Sequence, residues 1–115
     1  MKKFNIECNG DTYVLTLGQN ATENWNIIDN ANTGDLWFHV DGIPSGHLII
    51  ECISKKMNES KDYPYKLCID AGKICKTQSK LKNEKCKVVY TTIKNIKKGT
   101  DVGSVIIKNE KYITV

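Results

Sequence analysis

Residues 35–47 read Asp-Leu-Trp-Phe-His-Val-Asp-Gly-Ile-Pro-Ser-Gly-His, and the apolar run Leu-Ile-Ile follows at 48–50. Apolar and polar side chains alternate before a stretch rich in Gly, Pro, Asp and Ser, which is typical of a β-hairpin. If Val40 faces Gly46, then Trp37 faces Ile49. The two-residue period of a strand then divides the hairpin into a core face and a second face. The core face holds Leu36, Phe38, Leu48 and Ile50, and the second face holds Trp37, His39 and His47.

The residues before this hairpin predict another hairpin and a short helix. Asn9-Gly10 lies between two extended runs, and this dipeptide favours a two-residue turn. Further along, Thr22 is a candidate N-cap for a short helix that ends near Asn30.

The C-terminal half predicts a long amphipathic helix and three strands. The helix begins at Asp62-Tyr-Pro and carries an apolar stripe at helical spacing, formed by Leu67, Cys68, Ala71, Ile74 and Cys75. Residues 86–92 are typical of a strand, residues 94–99 of a basic turn, and residues 105–115 of a closing hairpin. The chain is therefore expected to form one compact α+β domain over residues 1–115. It would have a mainly antiparallel sheet, one long amphipathic helix and one short helix.

Composition limits the class of protein. The chain has 115 residues, of which 40% are hydrophobic and 26% charged, as in globular domains. No apolar run approaches the ~20 residues of a membrane span, and no apolar signal region follows the N-terminal lysines. We therefore expect a cytoplasmic protein without a membrane partner. The five cysteines are odd in number and include no Cys-x-x-Cys, which argues against a disulfide framework and a zinc finger.

Charge is distributed unevenly along the chain. Residues 1–53 hold two lysines and seven acidic residues, whereas residues 54–98 hold thirteen lysines and four acidic residues. Such a basic segment fits a phosphate backbone, although it is also compatible with an ordinary solvated surface. All seventeen basic residues are lysine, so the bidentate guanidinium contacts that read guanine edges are excluded. Backbone and shape contacts would have to dominate.

The two histidines and nearby acids raise the possibility of an enzyme or a metal site. In an extended hairpin, however, Asp35 and Glu51 lie roughly 13 Å along the strands from the histidine pair, too far to share one ion with it. No nucleophile elbow or phosphate-binding glycine loop occurs. We therefore expect no catalytic residue, no metal ion, no cofactor and no small-molecule substrate. Base stacking is the better use for the Trp37 and His39 rings, although burial of the indole under another layer is equally compatible with the pattern.

Five ordered segments resemble the NFACT-R domain, the RNA-binding C-terminal domain of NFACT proteins, which act in ribosome quality control. They are Gly-Gln-Asn-Ala-Thr-Glu-Asn at 18–24, Asp-Leu-Trp-Phe-His-Val at 35–40, Pro-Ser-Gly-His at 44–47, Val-Tyr-Thr at 89–91 with Lys-Asn-Ile-Lys-Lys at 94–98, and Gly-Ser-Val at 103–105. The resemblance implies RNA binding without catalysis, with tRNA, rRNA or the large ribosomal subunit as partner. The positions that match the signature segments are Asn20, Asn24, Asp35, Trp37, His39, His47, Lys94, Lys97 and Lys98.

Some features depart from the family pattern. Gln19 stands where the family usually has Arg or Lys, and Gly99 replaces a proline that often follows the double lysine. Neither an N-terminal NFACT domain nor a coiled coil is present in this sequence, so we expect a stand-alone module rather than a factor that recognises stalled ribosomes. The leading hypothesis is a non-catalytic RNA-binding module that uses its lysines and the Trp/His hairpin. The alternative is a protein-interaction module that docks on a ribosome-associated partner.

Overall fold

The computed structural model describes residues 1–115 and begins with the predicted N-terminal hairpin. Strands β1 (Lys2–Cys8) and β2 (Asp11–Leu17) pair in antiparallel register. The turn residues Asn9 and Gly10 have φ values of 53° and 84°. Positive φ at both central positions is typical of a type I′ turn, whose twist matches that of the flanking strands. Asn-Gly adopts this turn at low cost. The hairpin prediction is confirmed.

The remaining elements complete an α+β fold. In chain order they are α1 (Ala21–Asp29), β3 (Leu36–Val40), β4 (Leu48–Ile50), a 3-10 turn at Ser60–Asp62, α2 (Tyr65–Thr77), β5 (Lys87–Thr92), a 3-10 turn at Ile93–Asn95, β6 (Ile96–Lys98), β7 (Val105–Ile107) and β8 (Lys111–Thr114). Six strands form one sheet in the order β1-β2-β4-β3-β5-β8, and β6 pairs with β7 in a second sheet. Every strand pair is antiparallel, which confirms the predicted fold class.

The central hairpin has the register that its sequence predicts. Trp37 pairs with Ile49, and Phe38 pairs with Leu48. The predicted core face is fully buried in the larger hydrophobic core, where the Phe38 ring stacks on Tyr90 with 5.2 Å between centroids. The alternating pattern therefore determined both the pairing and the choice of inward face.

Helix α2 covers this core with its apolar stripe, of which Leu67, Cys68, Ala71 and Cys75 are buried and Ile74 is half-buried. Its close approach to β8 explains a glycine in mid-helix. A Cβ atom on Gly72 would lie 2.6 Å from Cδ1 of Ile113, so only glycine fits without a shift. All five cysteines are free thiols, in agreement with the absence of a disulfide framework.

A second, smaller core lies on the opposite face of the sheet. Helix α1 contributes Ile27 and Ile28, and the β6 side contributes Ile93 and Ile96. These side chains pack against Trp37, and the residues that complete the cluster are Ile49 and Val89. The central strands are thus covered on both faces, which explains why Trp37 is only 1% exposed.

Three local predictions are corrected by the structure. Asn20, rather than Thr22, is the N-cap of α1, and its Oδ1 accepts a hydrogen bond of 2.9 Å from the backbone N–H of Glu23. Residues 96–98 form strand β6 instead of a turn, because β7 supplies hydrogen-bonding partners for them. Strands β7 and β8 do not pair with each other. Strand β8 instead pairs with β5, where Ile113 completes the larger core.

Gly46→Ala is expected to destabilise the protein by about 1–3 kcal/mol, because a Cβ atom at this position has no room. It would lie 2.3 Å from the backbone oxygen of Gly18, which is itself held in the fold. Ser45→Ala is the matched neighbour, and it should change the free energy of unfolding little because the Ser45 hydroxyl has no partner. Urea denaturation of both variants measures the difference, and equal stabilities would contradict the packing.

Candidate nucleic-acid interface

A cleft of about 510 Å³ opens where separate parts of the chain meet at the start of α1. One wall is formed by the first residues of α1 and the loop before it, another by the loop 44–47, and a third by the end of α2. Val102 and Gly103, at the tip of the β6–β7 hairpin, complete the rim. Most of the lining residues are polar: the amides Gln19, Asn20, Asn24 and Gln78, the imidazoles His39 and His47, the hydroxyls Ser45 and Ser79, and the ammonium of Lys80.

The backbone of His47 is held from two sides, and this contact shapes the cleft wall. The Asn24 Oδ1 atom accepts a 3.0 Å hydrogen bond from the His47 backbone N–H. The Gly18 N–H donates to the His47 carbonyl at 2.9 Å. Asn24 is buried and Gly18 packs directly against it, so a larger residue at 18 would collide with the Asn24 side chain. Asn24 therefore positions the histidine loop on α1.

The two histidine rings and Trp37 form one aromatic cluster. The centroids of His39 and His47 are 4.9 Å apart, and the rings meet edge to face. The Trp37 indole lies behind them, stacked on His39 at 5.9 Å and at right angles to His47 at 5.2 Å. His39 is half-buried, whereas His47 is buried and its Nδ1 atom has no hydrogen-bond partner.

Burial keeps this imidazole pair neutral. It lowers the pKa of His47 to about 3, and the neighbouring His39 adds a smaller effect in the same direction. Burial also lowers the pKa of His39, although Asp41 and the Ser45 backbone partly oppose this effect. Neither ring therefore supplies positive charge to the cleft near neutral pH, where Lys80 is its cationic side chain.

His47 is expected to make the protein less stable in acid. Its pKa is about 6.5 in the unfolded chain and about 3 in the folded protein, so the unfolded chain binds more protons between these values. The contribution of the neutral His47 imidazole to the free energy of unfolding is fully present above pH 6.5 and is lost as the pH falls toward 3. The expected loss is up to about 1.4 kcal/mol per pH unit.

Urea denaturation at about pH 7.5 and about pH 5 measures this effect. The His47→Gln variant is the control, because it lacks the titrating group and should show a smaller difference between the two pH values. A wild-type free energy of unfolding that stays constant over this interval would contradict a buried neutral imidazole.

Two of the predicted site residues, Asp35 and Trp37, lie inside the protein. The Asp35 carboxylate accepts hydrogen bonds of 3.0 Å from the backbone N–H groups of Asn32 and Cys52, which fixes the entry into β3. Asp35 is 2% exposed and Trp37 is 1% exposed. In this fold neither side chain presents a surface to a macromolecular ligand. The exposure of the indole, which the alternating pattern left open, is therefore decided by the structure: α1 and the second sheet cover that face.

The three predicted lysines lie outside the cleft, and two of them are paired. Lys94 forms an ion pair with Glu59, and Lys98 pairs with Asp29 at 2.9 Å. The Lys98 ammonium also lies 5.2 Å from the centroid of the half-buried Trp25 ring. Lys97 is exposed. These pairs are at the surface, where such contacts contribute little to stability.

Sequence reasoning brought only part of the site together. The cleft contains Asn20, Asn24, His39 and His47, whereas Lys97 and Lys98 lie on the hairpin whose tip forms part of its rim. Trp25 was not among the predicted site residues; its indole N–H donates to the Ser104 carbonyl at 2.8 Å and so ties this hairpin to α1. The sequence signal for Trp25 was a large aromatic side chain in a short helix that also contains Asn and Asp.

Two further features bear on the class of site. No group of three or more His, Cys, Asp or Glu side chains is arranged to hold a metal ion. No helix has the length and apolar character that crossing a membrane requires.

Comparisons with known proteins place the chain in a family. Residues 2–109 match the family described as the NFACT protein RNA binding domain. Coiled-coil domain-containing protein 25 from Mus musculus is 30% identical over 111 residues, which cover 93% of this chain and 52% of that protein. The homologue of coiled-coil domain-containing protein 25 from Dictyostelium discoideum is 28% identical over 105 residues, 88% of this chain and 50% of that protein. The chain thus spans about half the length of the curated relatives it matches.

A solved structure shares the fold. The C-terminal part of the fibronectin/fibrinogen-binding protein from Streptococcus suis superposes with a TM-score of 0.79, at 23% identity. The match covers 96% of this chain and 43% of that chain. The segments at 18–24 and 44–47, which carry much of the sequence resemblance, are those that build the cleft. The match over residues 2–109 shows that the chain belongs to the NFACT RNA-binding domain family.

Proposed function

We propose that residues 1–115 act as a non-catalytic module that binds structured RNA, either tRNA or rRNA, in the cytoplasm. The observation that carries this proposal is the match to a family of RNA-binding domains over residues 2–109. If the RNA is rRNA, the proposed partner is the large ribosomal subunit. The charge and the cleft support the same function independently of the family.

Two segments that carry lysine meet the cleft or lead to it. In one segment, Lys80 lines the cleft and the exposed Lys82 and Lys85 follow in the same connection. In the other segment, Lys97 and Lys98 lie on the strand that leads to the rim of the cleft. Cations on these segments suit a polyanion, because each phosphate contact releases counterions. These lysines would fix the RNA backbone without reading base edges.

The composition of the cleft favours binding over catalysis. No carboxylate or thiol is among its lining residues, and Asp41, the carboxylate that acts on His39, lies outside the lining. The neutral state of the His39 and His47 rings also removes a proton donor near neutral pH. The amides, hydroxyls and rings that remain are groups that recognise a ligand by hydrogen bonding and stacking.

Filter binding of tRNA at about 50 mM and about 200 mM salt tests the proposal. Binding should weaken steeply at the higher salt concentration, because lysine–phosphate contacts dominate the affinity. Absent binding or salt-insensitive binding would overturn it. A partner protein that remains bound in a pull-down after nuclease treatment would instead favour the alternative, a protein-docking module.

A further inference from the structure

We propose that the cleft at the start of α1 takes up one unpaired nucleoside of the bound RNA while the lysines hold the flanking phosphates. This inference rests on the proposed function and adds which part of the RNA is recognised, and where. It predicts preference for single-stranded or loop RNA over continuous duplex, since a paired base cannot leave its stack without a free-energy cost.

The size of the cleft is suitable for such a ligand. Its volume of about 510 Å³ lies within the range of sites that enclose small molecules. The walls come from α1, the loop 44–47, the end of α2 and the tip of the β6–β7 hairpin. Because these walls converge from separate parts of the chain, they leave a concave space rather than a flat surface. A duplex cannot enter this space, but a single extruded base can.

Two polar groups of the histidine loop lack partners in the protein. The Nδ1 atom of His47 and the Oγ atom of Ser45 are both buried without a hydrogen bond, and both residues line the cleft. His47 as a whole is only 4% exposed. Buried polar atoms are almost always hydrogen-bonded. Both atoms are covered in this structure, so a ligand in the cleft completes them once these two side chains turn toward it. The edge of a nucleobase and the ribose hydroxyls carry donors and acceptors that match a neutral imidazole and a hydroxyl.

The charge of the cleft favours a nucleoside over a bound phosphate. Its histidines are neutral, and Glu23, in the first turn of α1, already accepts a hydrogen bond from the Gln19 backbone at 3.0 Å. A carboxylate at that end of the helix opposes an anion there. Lys80 lines the cleft, and Lys97 and Lys98 lie on β6. The phosphates of the RNA would contact these lysines. His39 is half-buried and supplies the aromatic surface on which a base stacks, with Trp37 stacked against the same ring.

The two histidines make the proposal directly measurable. The chain contains no other histidine, so the imidazole region of a ¹H–¹⁵N spectrum reports only on His39 and His47. The probes are a single-stranded RNA of about ten nucleotides, a blunt duplex that contains the same strand, and a nucleoside monophosphate. The single strand is expected to shift both imidazole signals. The duplex is expected to bind through the lysines and to leave these signals in place.

A pair of variants separates the cleft from the rest of the surface. His39→Leu removes the stacking ring, and it should weaken binding of the single strand roughly tenfold while duplex binding stays within about twofold. Tyr112→Leu removes an exposed aromatic ring outside the cleft, and it should change neither affinity. The melting temperature of each variant confirms that the fold is retained.

Each alternative outcome has a definite meaning. If single strand and duplex bind equally and the imidazole signals do not move, the nucleoside site is wrong while RNA binding by the lysines stands. If neither RNA binds but the monophosphate shifts the imidazole signals, the proposed RNA-binding function fails and the cleft binds a free nucleotide instead. If no probe binds, both proposals are overturned.

Discussion

Trp37→Ala is expected to lower the free energy of unfolding by about 3–5 kcal/mol, the range for removing a fully buried large aromatic side chain. The indole is 1% exposed and fills the second core, between α1 and the central strands. Its loss would leave a cavity beneath the histidine pair and remove the ring that stacks on His39 at 5.9 Å. Urea denaturation measures the change, and a loss below 1 kcal/mol would contradict this burial.

Trp37→Phe separates packing from recognition. The indole N–H is buried without a hydrogen-bond partner, so the phenyl ring removes an unsatisfied donor while it keeps much of the apolar contact. We expect this variant to remain folded and to bind RNA as tightly as the wild-type protein. A folded Trp37→Phe protein that binds RNA at least tenfold more weakly would place the indole in contact with RNA, as the family signature alone suggests.

Reversing two lysine charges is the change expected to weaken RNA binding most. Lys97→Glu combined with Lys98→Glu replaces two cations with anions on β6, the strand that leads to the hairpin tip at the cleft. If each lysine contacts one phosphate, the slope of log affinity against log salt should become shallower by about 2. Affinity should fall for every RNA sequence alike, because phosphate contacts carry no sequence information.

The fold should tolerate this double variant. Lys98 loses a surface ion pair with Asp29 and its contact with the Trp25 ring, which together are worth about 1–2 kcal/mol at most. Lys108→Glu combined with Lys111→Glu is the charge-matched control, taken from a segment of balanced charge. Equal loss of RNA binding in both double variants would show a non-specific effect of net charge, and unfolding of the first would show a structural role for its lysines.

Features that depend on a local turn preference or on a short repeat were predicted correctly from the residues. The Asn-Gly turn, the register of Trp37 with Ile49 and the inward face of the central hairpin follow from local backbone preference and alternation. The buried stripe of α2 follows from helical spacing. The uneven placement of lysine is visible as soon as charges are counted along the chain.

Errors arose in the pairing of strands distant in sequence and in the choice between two neighbouring cap residues. Strand β7 has two possible antiparallel neighbours; it pairs with β6, while β8 pairs with β5 at the edge of the six-stranded sheet. The N-cap prediction failed by two residues because Asn20 and Thr22 are both acceptable caps. Periodicity within a segment contains no information about either choice.

The sequence by itself determined that Trp37, His39 and His47 share one face of a hairpin. The tertiary structure alone decided that this face lies under α1 and the second sheet. That cover buries the indole, keeps the imidazoles neutral and leaves a cleft in place of an open aromatic surface. The physical reason is that alternation specifies the side of a strand to which a residue points. Whether another layer covers that side depends on packing between residues far apart in the chain.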